Sequence, residues 1–131
     1  MRILICGGRD WNDEEMIQRV LEAMIAKYAC SFLSVEKMVI IHGGARGADM
    51  IADKVAKSLG MQTEAYPVSQ EEWDTIGPAA GTLRNQRMLQ EGKPVEAHAF
   101  VMGNSQGTLD MIERVMGAGV LLTVHPYKRK S

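Results

Sequence analysis

The chain has 131 residues, with 15 lysines and arginines against 16 aspartates and glutamates, for a formal net charge of -1. With 46% hydrophobic and 24% charged residues it has the make-up of one folded domain with a real core, and it is too short for two. The balance lacks the basic excess of most nucleic-acid binders, and no apolar run approaches the length of a membrane span.

In chain order, the first apolar run, "RILIC" at residues 2–6, predicts a buried strand; "MRILICGG" reads as strand and glycine turn, not as a signal peptide. A helix follows over about 13–29, with Ile17, Val20, Leu21, Met24 and Ile25 on one face and Asn12 or Asp13 as N-cap. After the polar insert "CSFLSVEK" come a strand at 38–42 and a helix at about 46–59 that ends at Gly60. A third strand at 62–66 is closed by Pro67, and "VSQEEWDTIGP" at 68–78 is the least regular stretch, a loop. A helix at about 79–91 stops at Gly92 and Pro94. A strand at 96–102, a helix at about 106–116 and a strand at 119–124, ahead of Pro126, complete the chain.

Five strands and four helices in strict alternation predict a single Rossmann-like α/β domain over 1–131, a five-stranded, mostly parallel sheet with helices on both faces. Ligands of such sheets bind outside the carboxyl ends of the strands, where the strand order reverses. The turns after strands one, two and four are therefore the place to look. Cys6 and Cys30 cannot build a disulfide framework; both read as small apolar fillers, and the chain is expected in a reducing cytoplasm. The ten methionines are either soft core packing or an adaptable interface. The terminal "YKRK" reads as a solvated basic end.

"HGGARGAD" offers His42, Gly43, Gly44, Arg46, Gly47 and Asp49. It is neither a Walker loop, because Ala48 follows Gly47, nor a dinucleotide fingerprint, because its glycines are spaced differently. What it predicts is a set of free backbone amides at a helix start, open to an anion, with the glycines clearing a path for it. "GNSQGTLD" repeats the device with Gly103, Asn104, Ser105, Gly107 and Thr108, Thr108 being either a ligand contact or a cap. In "GGRDW", Gly7 and Gly8 precede Arg9, Asp10 and Trp11; the arginine suits a phosphate, and Trp11 either stacks a base or staples the following helix. "GTLRNQRM" carries Arg84 and Asn85, with Arg87 one turn on. His42 either donates to a ligand or is satisfied locally. No histidine joins a cysteine at metal-ligand spacing, so no metal and no cofactor are expected.

Taken together, "GGRDW", "HGGARGAD", "GPAAGTLRNQRM" and "GNSQGT", in that order, resemble the YspA-like SLOG proteins, a branch of the SLOG superfamily of Rossmann-like nucleotide-binding domains. That superfamily includes the Lonely Guy phosphoribohydrolases and the DNA-processing protein DprA. The resemblance implies a nucleotide ligand, of the ADP-ribose or nucleoside-monophosphate kind, held by the glycine turns in a sensor or sequestering protein, and a homodimer or higher oligomer. It also implies an alternative, N-glycosidic hydrolysis of a nucleoside monophosphate using Arg84 with Asp10, Asp49 or Asp110 as the carboxylate. For that reading "RNQRM" keeps the arginine as Arg84, but the position of the Lonely Guy glutamate is Met111, and the nearest carboxylate, Asp110, lies about 100° round the helix. A third alternative, DNA binding of the DprA kind, is disfavoured by the charge balance.

Overall fold

A computed structural model describes residues 1–128; the last residues of the basic end, 129–131, lie outside the described residues. Five parallel strands, β1 (Arg2–Gly7), β2 (Val39–His42), β3 (Gln62–Ala65), β4 (Glu96–Val101) and β5 (Leu121–Pro126), pair in the order β3-β2-β1-β4-β5. The order reverses between β1 and β4, so the crevice beyond those two strands is the switch point of a doubly wound sheet. All four strand pairings are parallel.

Alternation along β1 builds the layers. Ile3 and Ile5 face one side, in a core with Ile17, Leu21 and Met24 of α1 (Glu14–Tyr28) and Ala52, Val55 and Ala56 of α2 (Ala48–Ser58). Leu4 and Cys6 face the other, with Met88 of α4 (Ala79–Gly92) and Met111 and Val115 of α5 (Gln106–Gly117). Met24, Met38, Met61, Met88 and Met111 are all buried, so half of the ten methionines serve as core packing. Asp13, one of the two expected caps, closes α1 by accepting from the Met16 amide.

Four expectations are corrected. The stretch read as a loop contains a helix, α3 (Gln70–Ile76), started by a capping box in which Ser69 and Glu72 satisfy each other's amides. Two helices therefore separate β3 from β4, and strict alternation fails there. The last strand begins two residues later than expected, because Gly119 (φ +72°) and the Val120 amide, bonded to Val115 O, still belong to the close of α5. It runs on through Pro126, which an edge strand tolerates. Cys30 is exposed beyond the end of α1 and fills nothing; Cys6 is buried as expected.

The interior of β4 holds a polar chain. Buried Glu96 accepts from Lys27 Nζ (2.7 Å) and the Tyr28 hydroxyl (2.5 Å) and pairs with His98 Nε2 (2.8 Å). His98 Nδ1 lies 2.9 Å from Nε2 of His125 on β5. Glu96 is the first residue of β4, so this chain starts at the end of the sheet away from the glycine turns.

Candidate functional site

The turns after β1, β2 and β4 meet at the carboxyl edge of the sheet, joined by the first half of α4. Three contiguous cavities open there, of about 240, 320 and 450 Å³, and Arg9 and Arg84 line all three. The first is bounded by Cys6, Gly7, Gly43, Asp49 and Asn85, and by Ser105 to Thr108. The second adds Gly44, Arg46 and Pro67; the third adds Pro78, Gly81 and Asp110. Gly8, Asp10, Gly103 and Asn104 line a further recess, together with Arg9 and Arg46.

Arg84 is held by its surroundings. Its Nη1 donates to Gly43 O (2.6 Å) and Tyr66 O (3.3 Å), and its Nε to Asn85 Oδ1 (3.1 Å), so one guanidinium ties the ends of β2 and β3 to α4. Burial lowers its pKa, the Asp49 carboxylate opposes that, and Arg9 and Arg87 add to the lowering; an arginine remains cationic regardless. Arg9 is exposed on the opposite wall. The pair presents two guanidiniums, one held by backbone carbonyls and one exposed, to one space, an arrangement suited to an oxyanion such as a phosphate.

Four backbone amides of the β2 turn and the start of α2 are already taken. Oδ2 of Asp49 accepts from Gly43 N and Ala45 N, each at 3.2 Å, Gly44 N donates to His42 Nδ1 (3.0 Å), and Ala48 N donates to Gly8 O (3.2 Å). The turn has folded round the chain's own carboxylate. Asp49 is 5% exposed, its Oδ1 has no hydrogen-bond partner among the described residues, and burial pushes its pKa up to about 6 against the pull of His42, the two amides and Arg84.

The glycines clear space for the protein as well. A Cβ on Gly47, at φ +82°, would lie 2.4 Å from Gly8 O, and one on Gly43 would lie 2.6 Å from Arg84 Nη1. What approaches the backbone closely at those two positions is the β1 turn and a guanidinium, in place of the anticipated ligand.

Other candidates divide between the site and the scaffold. His42 is satisfied locally, with Nε2 2.8 Å from Asp53 Oδ1 and Nδ1 accepting from Gly44, so neither ring nitrogen is left for a ligand. Trp11 is 2% exposed, in edge contact with Phe100 and Tyr127, and its Nε1 donates to Asp13 O; its ring is core and offers no face to a base. Ser105 caps α5 by accepting from Thr108 N (3.4 Å), and the two hydroxyls bond each other (2.9 Å) on the cavity wall. Asp10 and Arg46 form an exposed pair at 3.5 Å. Oδ2 of Asp110 accepts from Arg114 Nε (2.8 Å) and Asn85 Nδ2 (3.0 Å), so this carboxylate is tied between α4 and α5.

Sequence reasoning missed Trp73. It lies on α3, in the stretch read as a loop, and lines the second and third cavities. The "SQEE" capping signature at 69–72 was the available signal.

A family profile described as "YspA, cpYpsA-related SLOG family" matches residues 1–73, more than half of the chain. The chain belongs to this SLOG family. The SLOG protein is also 37% identical over 123 residues to the Gene 61 protein of Mycobacterium phage D29, with 91% of each chain covered. Its fold is similar to that of DNA processing protein A (DprA) from Streptococcus pneumoniae, with a TM-score of 0.53 and 14% identity over 95% of this chain. The SLOG protein spans 58% of that DprA chain, and at this identity the likeness is one of fold.

Proposed function

We propose that this protein binds a nucleotide or nucleotide derivative, of the nucleoside-monophosphate or ADP-ribose kind, as a sensor or sequestering protein. The observation that carries the reading is the pair Arg9 and Arg84, common to three contiguous cavities at the switch point of the sheet. The phosphate lies between the two guanidiniums and not on Gly43 N and Ala45 N, which Asp49 already occupies. Family membership supports a ligand of this class.

Calorimetric titration with AMP, GMP, CMP and ADP-ribose tests the proposal. At least one is expected to bind, and Arg9→Ala to weaken it about tenfold or more, the usual cost of a charge-assisted contact. Heat-silent titrations with all four would refute it. The hydrolytic alternative would draw its carboxylate from Asp10, Asp49 or Asp110, and each is engaged by the protein itself: Asp10 by Arg46, Asp49 by the Gly43 and Ala45 amides, Asp110 by Arg114 and Asn85. Chromatography of AMP after long incubation is expected to show the nucleotide intact.

A further inference from the structure

Trp73 presents a puzzle of placement. α3 buries none of its residues, yet it carries one of the two tryptophans of the chain, half-buried against α4. The contact falls on Gly81, where a Cβ would meet Trp73 Cη2 at 3.4 Å, so the ring edge rests on the one position of that turn without a side chain. The indole is thereby set between the cavities of about 320 and 450 Å³, both lined by Arg9 and Arg84. An aromatic ring that lines the same two cavities as two guanidiniums matches a ligand that carries a flat π-system joined to an anion.

We infer that Trp73 is the stacking platform for the base of the nucleotide, with the phosphate end directed to Arg9 and Arg84. This rests on the proposed function and narrows it: the ligand class is one with an aromatic base, and a phosphosugar without a base is a poor ligand. Trp11, the tryptophan singled out by its position beside Arg9, is enclosed by Phe100 and Tyr127. Trp73 takes the role that the sequence offered to Trp11.

The test compares wild type, Trp73→Leu and Trp73→Phe in titrations with AMP, ADP-ribose and ribose 5-phosphate, followed by heat and by tryptophan emission. Trp73→Leu keeps an apolar contact on Gly81 but removes the π-face. It is expected to weaken AMP or ADP-ribose by about 5- to 150-fold, the range of one base stack, while Trp73→Phe stays close to wild type and ribose 5-phosphate binds all three alike. The nucleotide should change the emission of wild type and not of Trp73→Leu, whose remaining tryptophan is in the core. Equal weakening of nucleotide and ribose 5-phosphate would show that Trp73 only shapes the cavity, and would overturn the inference. So would nucleotide binding that is indifferent to Trp73→Leu, or ribose 5-phosphate binding as tightly as AMP; each leaves the phosphate site standing. Silence from all three ligands with wild type would bring down the proposed function and this inference with it.

Discussion

Replacing Asp49 by asparagine should stabilise the protein, and by an amount that depends on pH. The carboxyl is 5% exposed, and its pKa rises from the ordinary 3.8 to about 6 because burial outweighs the favourable groups around it. At about 1.4 kcal/mol for each factor of ten, that rise makes the ionised group cost the fold about 3 kcal/mol. The folded pKa lies above the unfolded one, so the contribution of Asp49 is intact below 3.8, declines as pH rises, and is fully lost above about 6. Asparagine keeps an oxygen to accept from Gly43 N and Ala45 N and carries no charge. Urea unfolding followed by circular dichroism should therefore give equal stabilities near about pH 4, with Asp49→Asn ahead by about 3 kcal/mol near about pH 7.5. A difference that stays flat with pH, or an Asp49→Asn protein that is the weaker one at neutral pH, would refute the reasoning.

Gly47→Ala puts a methyl 2.4 Å from Gly8 O at φ +82°, and should cost about 3 kcal/mol or more, read as a fall of about 10 °C in melting temperature. Arg84→Met leaves Gly43 O and Tyr66 O without their donor and should cost about 2 kcal/mol in urea unfolding, whereas Arg9→Ala, at an exposed position, should stay within about 0.5 kcal/mol of wild type. Burial holds His98 and His125 below the ordinary 6.5, the second also through the charge of the first. Their folded pKa values lie under the unfolded ones, so this contribution is whole above 6.5 and falls away as pH drops; His125→Gln should flatten that acid-side slope in a pH series of melting temperatures.

The strands and main helices were legible because burial imposes period: Ile3 and Ile5 against Leu4 and Cys6 in β1, and Ile17, Leu21 and Met24 in α1. The meeting of three turns followed from topology, since a parallel sheet puts every such turn at one edge. What stayed hidden was who answers whom. Glycines at 43 and 47 signal close approach without naming the approaching group, and only the fold shows that it is Arg84 and the Gly8 carbonyl. Asp49 looked like one more polar residue of an anion-binding turn; its side chain curls back to serve as that anion. α3 escaped because it buries no residue completely, so hydrophobic period was silent and only its capping box spoke.

Arg84 gathers two duties in one side chain: it pins the ends of β2 and β3 and it faces the space where a phosphate would lie. Selection for either duty preserves the other, and a genetic screen that scores loss of function at this position would mistake a collapsed pocket for a missing hook. Arg9, across the gap and free of structural obligations to the strands, is the position at which recognition can be altered without touching architecture.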